Sequence, residues 1–405
     1  MHEDPRPAPH PFRQFLLKVH ARCDLACDYC YVYTLGDPTW AARPARMSRR
    51  TVEQAAVRIA EHVAAHRIPA VGVALHGGEP LLAGLAEIEH CVRTIRRATG
   101  HLTDLRFTLQ TNGMRLDRPT VAALRALRVR VGVSLDGDPA AHDRHRRRRD
   151  GTGSHAAVAA ALAELARPEN AEVYAGLLAT VDLANDPVAT YEGLLAQHPP
   201  QIDFLLPEGN WTAPPPGRTP GTSDTPYADW LCAVFDRWYD HPVRETAVRL
   251  FDDVIALLLG GQPTVTGLGL LPAVSVVVQT DGTIEACDAL TATYPGAAAT
   301  GLTVAEHTFD KALATERVRE RQAGSAALAD ACRSCPVVAV CGGGAHSQRY
   351  RAGTGFANPS VYCPDLYALI THVRGRLVRD LAALRGRPRS SARPRRTPRP
   401  ARTPR

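Results

Sequence analysis

Short apolar runs alternate with amphipathic stretches through the first half of the chain. Runs at 15–19, 70–75, 105–110, 129–135, 172–181 and 202–206 read as strands. The stretches 51–66, 85–99, 118–127 and 154–166 between them carry apolar residues at helical spacing. In the first of these Val52, Ala55, Ala56, Ile59, Ala60 and Val63 share one face, and Ser48 is placed to cap it. Six strand-then-helix units predict an α/β fold with a parallel sheet and crossover helices. Such a sheet, or a partial barrel made from it, presents its reactive loops at the C-terminal ends of the strands.

Polar motifs sit at those ends. Cys23 to Cys30 follow the first strand, "HGGEP" the second, "TNG" the third, "SLDG" the fourth and "PEGNW" the sixth. One such motif could be turn chemistry, whereas five at successive ends predict a single site. After Trp211 a Pro/Gly/Thr-rich linker breaks the pattern. One or two helices follow over 228–259. A hairpin is then predicted around an Asp281-Gly282 turn. The expected organisation is an N-terminal extension (1–13), a core domain (14–211), a linker with bridging helices (212–270), a cysteine-bearing domain (271–384) and a tail (385–405).

Charge changes the picture only at the end of the chain. The net charge is +7, yet residues 385–405 hold nine arginines and no acid, so the remainder carries −2. The tail is rich in Pro and Arg and cannot bury a core, so it reads as disordered. No aromatic residue interleaves its arginines, so it is not read as a nucleic-acid surface. No signal pattern opens the chain, and the apolar run at 255–259 is too short to span a bilayer. A cytoplasmic location is expected, with no membrane partner. Ten cysteines in that compartment then indicate metal or redox use rather than disulfides.

Cys23, Cys27 and Cys30, spaced C-x3-C-x2-C, place three soft ligands in one loop. A zinc site completed by a distant ligand is one reading. The other is a four-iron cluster with one iron left open, as a catalytic metal requires. Farther on, Cys332, Cys335, Cys341 and Cys363 could form a closed set of four thiolates. Cys91 and Cys232 lie in helical patterns and read as small buried hydrophobes.

With Tyr29 as its aromatic, the first motif resembles the signature of radical S-adenosylmethionine (SAM) enzymes. The resemblance implies a partial (β/α)6 TIM-like barrel and a [4Fe–4S] cluster on Cys23, Cys27 and Cys30. The open iron of that cluster would chelate SAM and yield a 5′-deoxyadenosyl radical. It further implies SAM contacts from Gly77, Gly78, Glu79 and Pro80 in "GGEP", with Glu79 accepting hydrogen bonds from a cation. Asn112, Ser134 and Arg146, the last in "HDRHR", complete the implied contacts.

The later cysteines resemble the SPASM extension, so Cys332, Cys335, Cys341 and Cys363 would hold an auxiliary [4Fe–4S] cluster. Ala345 stands where that pattern has a further cysteine, and Cys287 lacks its usual upstream companion. An inner auxiliary cluster at Cys287 is therefore in question, with unusual ligands such as His346 as the alternative. Asp288 matches a proton acceptor in sulfatase-maturating relatives, and Glu208 is a candidate substrate contact.

Taken together, the motifs look most similar to the FxsB-like branch of SPASM peptide maturases. The implied reaction is a carbon–carbon cross-link from a side-chain β-carbon to an aromatic ring, a three-residue cyclophane, in a ribosomally made precursor peptide. The implied partners are that peptide and a one-electron reductant such as flavodoxin or ferredoxin. Because only some fourteen residues precede the first strand, a separate leader-binding protein is a further possible partner. The alternatives are a SPASM maturase forming thioether or formylglycine, and a non-catalytic scaffold holding zinc at both cysteine groups.

Overall fold

The six predicted strands all form, close to their expected bounds, in a computed structural model that describes residues 9–264 and 267–386. They are β1 (Gln14–His20), β2 (Ala70–Gly77), β3 (Asp104–Thr111), β4 (Val129–Ser134), β5 (Tyr174–Thr180) and β6 (Gln201–Leu205). They pair in parallel and in sequence order. The helices between them are α1 (Arg49–His66), α2 (Leu85–Thr99), α3 (Arg118–Ala126), α4 (Pro139–His145), α5 (His155–Leu165) and α6 (Pro187–Leu195). Ser48 caps α1 by accepting the Thr51 N–H at 3.0 Å. The residues named above on its apolar face are buried, apart from Ala60.

Two of these helices, α4 and α6, lie outside the predicted stretches. Each begins Asp-Pro. Asp138 accepts the Ala141 N–H at 2.9 Å and Asp186 the Ala189 N–H at 2.7 Å, while proline fills a position whose own N–H has no partner.

The sheet continues beyond the six strands. The two-residue β7 (Ala247–Val248) adds to β6, between the predicted bridging helices α7 (Pro226–Asp240) and α8 (Arg249–Leu258). At the other edge β8 (Ser275–Val278) pairs in parallel with β1, and β9 (Thr283–Glu285) and β10 (Ala299–Thr303) follow antiparallel. The Asp-Gly turn forms as predicted, with Gly282 at φ +85°. The cysteine-bearing segment is thus stitched to β1, the strand that delivers the first cysteine loop. Cys363 opens the closing helix Cys363–Gly386, which packs on α7 and α8. Among the described residues no helix is long and apolar enough to cross a membrane. The basic tail beyond residue 386 lies outside the described residues.

Candidate active site

A cavity of about 490 Å³ opens at the C-terminal ends of the strands, within the range of small-molecule sites. Cys23, Cys27, Tyr29, Cys30, Gly77, Gly78, Asn112, Ser134 and Arg146 all line it. The thiol loop leaves β1 and is pinned by the segment after α4. The Ala26 N–H donates to the Arg147 carbonyl at 2.8 Å, and Arg149 donates to the Cys23 carbonyl at 2.9 Å. Two of the four arginines in the run 146–149 therefore fasten this loop through their backbone or side chain. Asn112 Nδ2 reaches Asp24 at 2.8 Å and Cys23 Sγ at 3.5 Å.

Arg146 does not stand alone. Its Nε donates to Asp136 Oδ2 at 2.9 Å, the Tyr29 hydroxyl donates to the same oxygen, and the Thr180 N–H holds Oδ1 at 2.9 Å. Asp136, the aspartate of "SLDG", is 3% exposed. Sequence reading took only Ser134 from that motif. Asp136 fixes Arg146 and Tyr29 on one wall, with Ser134 beside them accepting from Gln110 at 3.0 Å.

Glu79 has a different place from the one expected. It is fully buried, and its carboxylate accepts from the Leu81 N–H (2.9 Å), the Thr111 hydroxyl (2.8 Å) and the Asn112 N–H (2.8 Å). Glu79 and Pro80 stand behind the cavity wall, tying the end of β2 to the end of β3. Only the two glycines of "GGEP" reach the lumen. The close approach is why they are glycines: a Cβ on Gly77 would lie 2.1 Å from the His20 carbonyl oxygen, and one on Gly78 2.5 Å from that of Arg22.

Asp288 and Glu208 also line the cavity. Asp288 belongs to a buried charge network that the sequence did not announce. Lys18 Nζ lies 3.0 Å from Asp288 Oδ2 and 3.1 Å from His76 Nδ1, and the Tyr31 hydroxyl donates to Asp288 Oδ2 at 2.6 Å. Burial opposes charge on Asp288, but the Lys18 ammonium, His76 and the two hydrogen bonds outweigh it and hold the carboxyl well below the usual range. His76 is pushed down to about 4, first by burial and then by Lys18, so it stays neutral. Glu208 takes a hydrogen bond on Oε2 from Ser347 at 3.1 Å. Burial pushes it up to about 7, with the Asp288 charge adding to the rise.

Because Lys18 is 4% exposed, Asp288→Asn strands an ammonium in the interior. Losing one member of a buried pair typically costs about 3–5 kcal/mol. The variant is expected to show a clearly lowered urea midpoint, whereas Glu208→Gln should denature near the wild type.

The second thiol group lies apart. Cys332, Cys335, Cys341 and Cys363 surround a separate, mostly apolar cavity with Pro359 and Tyr367. "CGGG" folds round it with Gly342, Gly343 and Gly344 all at positive φ (60°, 79° and 72°). The buried Arg349 guanidinium binds the carbonyls of all three, at 2.7 Å to Gly342, 3.1 Å to Gly343 and 2.8 Å to Gly344. A Cβ on Gly342 would sit 1.8 Å from the Gly269 carbonyl oxygen. Gly342→Ala should therefore lower stability by at least about 2 kcal/mol, read as a fall in the thermal midpoint with loss of iron from this domain.

A single zinc ion would draw its thiolates to about 3.8 Å from one another. Among the described residues the one trio of metal-capable ligand atoms within 4.8 Å of one another is His62, His66 and Asp310. There the Phe12 N–H donates to His62 Nε2 at 2.9 Å, so His62 Nδ1 carries the proton and donates it to Asp310 at 2.7 Å. That trio is a clamp on the N-terminal segment. Among the described residues neither cysteine group has three sulfurs within 4.8 Å of one another. Both donor sets are soft, both border cavities, and both fit a wider cluster.

The comparisons agree with this geometry. Residues 17–168 match the radical SAM superfamily. The cysteine-type anaerobic sulfatase-maturating enzyme of Clostridium perfringens is 22% identical, covering 91% of this chain and 98% of its own length. The serine-type anaerobic sulfatase-maturating enzyme of Bacteroides thetaiotaomicron is 24% identical, covering 91% and 90%. The structure of native anSMEcpe with bound AdoMet superposes with a TM-score of 0.77 at 20% identity, covering 91% of this chain and 99% of that one. A second structure, which also holds Cp18Cys peptide, gives 0.75 at the same identity, over 92% and 99%. The fold is the radical SAM α/β fold with a SPASM-like C-terminal part. These relatives are sulfatase maturases, which support the formylglycine alternative better than the cyclophane-forming, FxsB-like expectation.

Proposed function

We propose that this radical SAM enzyme oxidises a cysteine or serine side chain of a peptide to formylglycine. Supporting the reading is one cavity lined by three thiols, Arg146 and Ser134 together with Asp288 and Glu208, with Tyr31 of the thiol loop donating to Asp288. The sulfatase-maturating relatives, which span nearly the whole chain, support the choice of product.

When bound, a [4Fe–4S] cluster on Cys23, Cys27 and Cys30 with SAM supplies a 5′-deoxyadenosyl radical, and one on Cys332, Cys335, Cys341 and Cys363 accepts the electron left over. The chain's own residues do the rest. Gly77 and Gly78 let the ligand approach the backbone, while Arg146 and Ser134 offer hydrogen bonds to its carboxylate and ribose. The substrate β-carbon loses a hydrogen atom, and its thiol then loses a proton and an electron. The resulting thioaldehyde exchanges sulfur for oxygen with water, releasing hydrogen sulfide.

Glu208 takes the thiol proton. Its carboxylate has one donor from the protein and ionises near neutral pH, the range in which a general base works best. Asp288 shares one oxygen between Lys18 and Tyr31 and stays charged. It positions the substrate rather than accepting the proton.

The test is anaerobic incubation with peptides copied from the cysteine and serine sites of sulfatases, read by mass and by aldehyde-specific hydrazine labelling. An aldehyde with stoichiometric 5′-deoxyadenosine is expected. A carbon–carbon cross-link in an aromatic-rich peptide, with both sulfatase peptides untouched, would restore the cyclophane reading.

A further inference from the structure

A second chamber of about 340 Å³ lies against the active cavity, with Glu208, Gly267, Asp288, Ala289 and Ala345 as the neck between them. Those five residues border both spaces. The chamber reaches Cys287 and His346, with Glu320 and Arg321 farther along its wall. A SPASM-type fold implies an inner auxiliary cluster at Cys287, so the lining can be tested for that fit.

It does not fit. A four-iron cluster is held by about four thiolates, and Cys287 is the one thiol among the chamber's lining residues. Cys332, Cys335, Cys341 and Cys363 line the other cavity. The position four residues after Cys341 is Ala345, which lines both spaces. The remaining donors are committed elsewhere or of the wrong kind. Asp288 is bound by Lys18 and Tyr31, and Glu208 by Ser347. His346 stacks on Phe356 at 4.3 Å between ring centroids. Carboxylate oxygens are hard ligands that match iron–sulfur chemistry poorly.

We infer that this chamber is a lobe of the substrate space that receives an arm of the peptide chain, and that the enzyme carries a single auxiliary cluster. The substrate class rests on the proposed peptide chemistry; the missing cluster does not. A side chain reacting between the thiol loop and Glu208 has its main chain leaving on both sides. One exit leads past Ala345 into the chamber. Its wall is of mixed charge and is roomy at Gly324, where an added Cβ would meet only the Leu270 carbonyl oxygen at 3.6 Å. Those features suit an extended chain with its own polar groups.

The experiment uses the anaerobically reconstituted holoenzyme in three measurements. Iron should number about eight per chain and stay unchanged in Cys287→Ala. About twelve irons, with about four lost in that variant, would overturn the inference whatever the substrate. N-Ethylmaleimide, which forms a stable thioether, should label Cys287 while the clusters persist, located by peptide mapping. A Cys287 that resists the reagent would show that the chamber is closed. The labelled enzyme should still cleave SAM without peptide, yet process the sulfatase cysteine peptide at least about tenfold more slowly. Unchanged processing would remove the peptide arm from the chamber. Failure of unlabelled enzyme on any sulfatase peptide would count against the proposed reaction, leaving the iron and labelling results to decide the chamber.

Discussion

Cys27→Ala should abolish reductive cleavage of SAM, with no 5′-deoxyadenosine above the enzyme-free level and about four irons lost per chain. The loop spanning Cys23 to Cys30 has no spare thiol: its three sulfurs border one cavity, and the other cysteine group lines a different one. Cys287, the remaining thiol near the cavity, lies across the neck in the second chamber. The visible absorption of the other cluster should persist in this variant, because Cys332, Cys335, Cys341 and Cys363 share no element with the mutated loop. Continued 5′-deoxyadenosine formation would show that the three-cysteine loop is not where SAM is cleaved.

Glu208→Gln should slow peptide modification by about 10²–10⁴-fold, the usual contribution of a positioned acid or base. Peptide-independent SAM cleavage should stay near the wild-type level, since the side-chain hydrogen bond of Glu208 runs to Ser347 and not to the thiol loop. The pH profile gives an independent reading of the same group. Burial raises Glu208 to about 7, so below that pH it is protonated and cannot accept. Peptide modification should therefore rise with pH through about 7 in the wild type, and that step should vanish in Glu208→Gln. A profile unchanged by the substitution would return the role of base to Asp288, whose charge persists across that range.

Much of this could be read from the sequence, and the reasons are physical. Strand ends were legible because each apolar run stops at a glycine or polar motif, and a parallel sheet sends all those ends to one side. The grouping of the thiols was legible because spacing within a loop is local. What escaped were the partners. Lys18 sits inside an apolar strand, where a lysine ordinarily reads as an edge residue, and it meets His76 and Asp288 only through pairing of β1 with β2 and β8. Asp136 lay in a motif already noticed, but its role depends on Arg146 folding back from the end of α4. Glu79 shows the converse. Its two glycines line the cavity, yet the carboxylate serves the strands, because three donors close at hand claim it first.

The most direct test of the account is the fate of one hydrogen. A sulfatase peptide whose reactive cysteine is deuterated at the β-carbon should give an aldehyde product and, in matching amount, 5′-deoxyadenosine carrying one deuterium from that carbon. Aldehyde formed alongside wholly unlabelled 5′-deoxyadenosine, or formed without SAM, would contradict it.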